Sequence, residues 1–206
     1  TNTNVYEIQE MVDKGYLNYE TLVTLYLERI EKYNKQYNAV ISVNKDAVSI
    51  ARNLDEEYKR NGRRSLLFGI PVILKDNIDY ESLPTTVGTK ALKDSMPKDN
   101  AEVTKNLVNA GAIIVGKSNM SEFAFSAENS RSSYGHVYNA FNLKYTPFGS
   151  SGGSAVSVAA SFASLGLGTD TNASIRLPSS ANNIVGLRPT YELLSLDGIV
   201  AYDITR

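Results

Sequence analysis

Short apolar runs alternating with helical segments, after a helical N-terminal stretch, predict an α/β fold: a mixed sheet covered by helices on both faces, preceded by N-terminal helices. Three runs read as buried strands, Ile70 to Leu74, Ile113 to Val115 and Leu165 to Gly168, and helices at Ala101 to Ala110 and Ser154 to Ala163 separate them. The 206 residues, 42% hydrophobic and 21% charged, are enough for one sizeable core. With no repeat, linker or low-complexity tract, a single domain over residues 1–206 is the economical organisation: residues 1–62 as a helical lead-in and 63–206 as the segment that carries the chemistry.

The elements follow in order. Val5 to Asp13 and Tyr19 to Tyr33 carry apolar residues at helical spacing; Gly15 ends the first, and Leu22, Leu25, Tyr26, Arg29 and Ile30 trace the stripe of the second. A third helix spans Asp46 to Arg60, with Asp46 as N-cap, a stripe through Ala47, Ile50, Ala51, Leu54 and Tyr58, and Asn61-Gly62 as its stop. None of these three clusters reactive side chains. Gly111 closes the helix from Ala101, and Ser154 reads as the cap of the small-residue helix that follows it.

Composition narrows the function. A net charge of -1 gives no electrostatic reason to expect nucleic acid or an anionic membrane as partner. No apolar run reaches the about 18 residues of a membrane span. The start, Thr1-Asn2-Thr3-Asn4, is not a basic and apolar leader; localisation stays open, with the cytoplasm favoured. Without Cys there is no thiol nucleophile, and with His136 as the sole histidine a zinc site would rest almost wholly on carboxylates, so no metal is expected. His136, in a Tyr134-Gly135-His136 turn away from the serine-rich segments, reads as structural.

Two pattern matches fail on context. Gly111 to Ser118 fits the phosphate-loop spelling, but its interior Ala-Ile-Ile-Val is a buried strand, whereas a phosphate loop needs an exposed turn between strand and helix. Gly149-Ser150-Ser151-Gly152-Gly153 fits the nucleophile elbow, which requires its His after the Ser; His136 precedes it.

Serines flanked by Gly and Ala leave hydroxyls and backbone N–H groups open to a ligand. Such nests lie at Gly149 to Ser154 and at Thr171-Asn172-Ala173-Ser174. Together with Gly69-Ile70-Pro71-Val72-Ile73-Leu74-Lys75-Asp76-Asn77, Gly116-Lys117-Ser118-Asn119-Met120-Ser121-Glu122-Phe123 and Val185-Gly186-Leu187-Arg188-Pro189-Thr190, their order and spelling resemble the amidase signature family, serine hydrolases that cleave carboxamides. The resemblance implies an incomplete amidase-type fold with Lys75 as general base, Ser150 as a proton relay after a cis peptide bond, and Ser174 as the nucleophile that forms an acyl-enzyme. Thr171, Asn172 and Ala173 correspond to the oxyanion loop. The expected partner is a small-molecule or peptide amide, with no cofactor; the family's tRNA-dependent amidotransferase type is a weaker option, because the charge balance does not favour tRNA.

The residues support this independently. A serine hydroxyl needs a base, and Lys, ordinarily near pKa ~10.4, becomes one only when burial favours its neutral form, as the apolar strand ending in Lys75 provides. The bland alternatives are an exposed Lys75 paired with Asp76, and serines that merely make tight turns. Asp170 reads as a structural acceptor of nearby N–H groups. The chain also departs from the family's spelling. Asn172-Ala173 replaces Gly-Gly, Phe148 stands where Gly is common, and Ala181-Asn182-Asn183 replaces an aromatic residue, Cys and Gly. If either oxyanion position needs φ > 0, Asn172 tolerates it better than Ala173, and a displaced donor would cost ~100 to 1000-fold in turnover. Because the family's domain continues well beyond Arg206, the competing expectation is a fragment, a catalytically impaired remnant or an interaction module, whose open sheet edge invites a homodimer.

Overall fold

Asparagine side chains open the first two helices. In α1 (Val5–Asp13) Asn4 and Glu7 form a reciprocal capping box, and in α2 (Tyr19–Tyr37) Asn18 accepts the Thr21 N–H. The computed structural model describes residues 3–201. Helix α2 continues past the expected Tyr33 to Tyr37, where Asn38 turns left-handed at φ 52°. Leu25 does not belong to its buried stripe and is 55% exposed: it lies about 120° round the helix from Tyr19, whereas Leu22, Val23 and Ile30 face inward.

A strand the sequence reading missed, β1 (Val40–Val43), precedes α3 (Ala47–Asn61), which ends at Gly62. Asp46 occupies the N-cap position of α3 but makes no side-chain cap bond, contrary to expectation; its own N–H is bound by Asn44 Oδ1. The cap instead runs between helices. Asp55 of α3 accepts the Tyr19 and Glu20 N–H groups at 2.8 and 2.9 Å and so caps α2.

The core continues with β2 (Pro71–Lys75), α4 (Glu102–Asn109) and β3 (Ile113–Ser118). A small ladder follows, β4 (Arg131–Ser132) with β5 (Gly135–His136), then α5 (Gly152–Ala159), β6 (Leu165–Leu167) and α6 (Arg176–Ala181). Strand β3 runs beyond Val115 and takes Gly116, Lys117 and Ser118 into a fully buried strand, which disposes of the phosphate-loop spelling. Helix α5 starts at Gly152 and ends at Ala159, before the expected Ala163, with Ser161 left-handed at φ 57°. Ser154 therefore lies inside the helix and caps nothing: its Oγ bonds Ser118 Oγ at 2.7 Å and the Leu167 carbonyl at 2.9 Å.

The sheet order is β1-β3-β2-β6, with β2 parallel to both β3 and β6 and β1 antiparallel at the edge. The sheet is therefore mixed, with an apolar cluster on each face. On one face Ile73 and Val115 pack with residues of α1, α2, α3 and α5; on the other Val72, Leu74 and Ile114 pack with Ala101, Ile78 and Tyr80. The lead-in is tied to the start of β2. Gln9 donates to the Leu66 and Phe68 carbonyls at 2.8 Å, accepts the Tyr19 hydroxyl at 2.8 Å, and the Tyr19 ring covers Gly69, where an added Cβ would lie 2.0 Å from it. Gly69 also takes φ 73°, so the position excludes other residues twice over.

Candidate active site

The carboxyl ends of β2 and β6 open on one side of the sheet, and in α/β folds that is where ligand-binding residues gather. Strand β2 ends in Lys75, which is fully buried. Its Nζ lies 2.7 Å from Ser150 Oγ and donates to Thr169 Oγ1 at 2.7 Å and the Thr169 carbonyl at 3.4 Å. Asp76 pairs elsewhere, with Lys117. Burial pushes the Lys75 amine down to about 7, against a smaller opposing pull from Asp170. The exposed Lys75–Asp76 pair of the bland reading is thus absent.

The segment before α5 holds Ser150 rigidly. The Gly149–Ser150 peptide is cis. The Ser150 carbonyl accepts the Ser121 N–H at 3.1 Å and the Ser130 hydroxyl at 3.3 Å, and Ser130 Oγ also receives the Gly152 N–H at 2.9 Å. Gly153 packs so closely that a Cβ would lie 2.1 Å from the Asn119 carbonyl. Ser151, the centre of the elbow spelling, is buried and locked to Thr169, donating to its carbonyl at 3.2 Å and accepting its N–H at 3.3 Å. Its hydroxyl is occupied by the scaffold.

Ser174 precedes α6 and is nine-tenths buried, its carbonyl held by the Ser151 N–H at 3.2 Å. Ser150, Thr169, Thr171 and Ser174 all line one cavity of about 410 Å³, whose remaining wall is largely apolar, including Ile78, Leu167, Ile175 and Leu194. Asn172 and Ala173 are not among the lining residues. They sit in the turn before α6, where the Asn172 carbonyl accepts from Arg176 at 2.6 Å and the Ala173 carbonyl accepts the Leu177 N–H at 2.9 Å. Neither takes a positive φ. The conformational objection to losing Gly-Gly at these positions therefore does not apply.

The other departures are accommodated individually. Asn183, in place of Gly, is left-handed at φ 51°, which Asn tolerates. Asn182, in place of Cys, is fully buried and donates to the Pro178 carbonyl at 2.9 Å while accepting the Ala140 N–H at 3.0 Å. Phe148, in place of Gly, is also left-handed at φ 58°, an uncommon backbone for a bulky residue.

Asp170 matches its structural reading. It accepts the Ile175 and Arg176 N–H groups at 3.1 and 3.3 Å and pairs with Arg176 at 3.0 Å. Burial alone would raise its carboxyl, but these donors outweigh it and hold the group below the usual range. Thr169 and Ser130 are the site residues that sequence reasoning missed. Thr169 lies inside a quoted motif, and its position at the end of β6, beside the end of β2, was the available signal; Ser130 offered none. His136 is exposed on β5, away from the cavity lining. Among the described residues no three His, Cys, Asp or Glu side chains converge as a metal site, and no helix is long and apolar enough to cross a membrane.

The sequence model of the family described as "Amidase" matches residues 21–206. The chain belongs to the amidase signature family. It is 41% identical to the first, or A-type, component of glutamyl-tRNA(Gln) amidotransferase from Thermoanaerobacter pseudethanolicus over 199 residues, which are 96% of this chain and 41% of that protein. Among solved structures it is similar to native peptide amidase from Stenotrophomonas maltophilia, with 40% identity, a TM-score of 0.91, and coverage of 96% of this chain and 42% of that one. An amidase family protein from Bacillus anthracis gives 40% identity and a TM-score of 0.92, covering 97% and 41%. The chain thus spans about 40% of the length of the amidase family proteins it matches. The fold expectation, an α/β domain corresponding to part of an amidase, holds.

Proposed function

We propose that this protein hydrolyses a carboxamide C–N bond through an acyl-enzyme on Ser174. The observation that carries the reading is the contact of a fully buried lysine with a serine hydroxyl: Lys75 Nζ lies 2.7 Å from Ser150 Oγ in the wall of the cavity that Ser174 also lines. Lys75 in its neutral form has a lone pair that can accept the Ser150 proton, while its own N–H groups donate to Thr169. Ser150 takes the proton of Ser174 as Ser174 Oγ attacks the amide carbon. The proton then passes to the leaving nitrogen, the C–N bond breaks, and an ester on Ser174 remains. Water cleaves that ester by the same relay and returns Ser174. Backbone N–H groups of the turn from Thr171 to Ser174 are the candidate donors to the oxyanion.

The amidotransferase relatives favour a second reading, in which the same acyl-enzyme step releases ammonia for transfer elsewhere. A cavity wall that is mostly apolar supports uncharged amides first. The test is turnover of a panel of carboxamides, with ammonia as the readout, together with labelling by a fluorophosphonate. Ser174→Ala should abolish both, and Lys75→Ala should abolish turnover with the fold retained. Turnover in a folded Lys75→Ala protein, or labelling at Ser151, refutes the assignment.

A further inference from the structure

Lys75 has a second buried lysine beside it. Lys117 lies on the adjacent strand, registered against Leu74, next to Ser118, the partner of Lys75. Its Nζ is 3.8 Å from Asp76 Oδ1 with both side chains fully buried, and it donates to Thr85 Oγ1 at 3.0 Å and the Pro84 carbonyl at 3.2 Å. Asp76 Oδ2 accepts the Gly88 N–H at 3.0 Å and the Thr86 hydroxyl. Asp76 immediately follows Lys75, and an uncompensated carboxylate beside a buried lysine stabilises the charged amine, which cannot act as a base. Lys117 takes up that carboxylate instead.

Resting on the reading of Lys75 as the base, we propose that Lys117 is a positioning residue acting through Asp76: the buried Asp76–Lys117 pair presents no net charge to Lys75 and leaves its amine free to lose a proton near neutrality. Burial pulls Lys117 down to about 8 and pushes Asp76 up, so desolvation opposes the pair. The donors around Asp76 and the oxygens around Lys117 favour the ionised pair. The other charges facing this cluster are Asp79, which favours charged Lys117, and Asp170 at the end of β6, itself held by Arg176 at 3.0 Å and Arg188 at 4.0 Å.

The experiment is an NMR titration of the Lys75 side-chain amine in lysine-labelled protein from about pH 5 to about pH 10, its signal assigned by loss in Lys75→Met. Lys117→Met leaves the anion uncompensated and should move the Lys75 midpoint up by about one unit; Asp76→Asn leaves the cation and should move it down by a similar amount. The double variant, Asp76→Asn with Lys117→Met, should titrate as the parent does and, where activity is measured, keep the parent's pH–rate profile. A role confined to stability would produce no opposed shifts and no restoration in the double variant. Should one single variant fail to fold, the other single and the double still decide. A folded single variant whose midpoint stays put or moves the other way, or a double variant displaced from the parent, overturns the proposal. The titration needs no turnover, so absent amidase activity counts against the proposed function and leaves this result to be judged by the midpoints.

Discussion

Replacing Lys75 with methionine should change how stability depends on pH, and the size of the change follows from burial. In the unfolded chain the amine has an ordinary pKa near ~10.4, whereas in the fold it is pushed down to about 7. Between these values the unfolded state binds the extra proton, so this group makes unfolding easier at the low end and progressively harder as pH rises. The slope is about 1.4 kcal/mol per pH unit, and the total across the window is about 4 to 5 kcal/mol. Methionine fills a similar volume and does not titrate. It also leaves the Ser150 and Thr169 hydroxyls without the amine, at a cost of about 1–3 kcal/mol each. The variant should therefore be about as stable as the parent, or more so, at pH 7, and less stable by several kcal/mol near pH 10. Urea unfolding of both proteins at several pH values measures the difference, in which titrating groups common to both largely cancel. A difference that stays flat within about 1 kcal/mol from pH 7 to about pH 9.5 refutes the depressed Lys75 amine.

Three further outcomes are expected. Gly153→Ala drives a Cβ to 2.1 Å from the Asn119 carbonyl and 2.7 Å from the Ala39 carbonyl, and should destabilise by at least about 2 kcal/mol; an unchanged urea midpoint contradicts the packing. Asp55→Ala removes the inter-helix cap at Tyr19 and Glu20 and should cost about 1–2 kcal/mol, whereas no loss would mean water replaces it fully. Restoring glycine at Asn172 and Ala173 should leave kcat within about twofold, because neither residue needs a positive φ; a rise of ~100-fold would show that these side chains displace an oxyanion donor.

What the sequence disclosed was mostly what local periodicity controls. The apolar runs of β2 and β3 and the stripes of α1 and α3 follow from burial on one or both faces, and their boundaries moved by a few residues at most. Strand β1 escaped because Val40 to Val43 is a short edge element stabilised by pairing with β3, a partner far along the chain. Leu25 misled because a leucine at near-helical spacing still falls off the buried arc. At the site, Lys75, Ser150 and Ser174 were legible through motif spelling, and the contact between Lys75 and Ser150 agrees with it. Thr169 and Ser130 act through hydrogen bonds that arise only when the ends of β2 and β6 and the loop before β4 meet. The partnership of Asp76 with Lys117 rather than Lys75 was likewise hidden, since sequence adjacency suggests the opposite pairing.

The seating of Tyr19 on Gly69 bears on how this protein can be recombined. The strand that delivers Lys75 begins beneath an aromatic ring supplied by the lead-in, and Gln9 grips the two carbonyls just upstream of it. A chimaera that joins its first 62 residues to another amidase's core would bring a ring to a backbone shaped for a different one, with Gly69 leaving no slack to absorb the mismatch. Crossovers belong on the far side of that junction, so that residues 1–70 travel as one block.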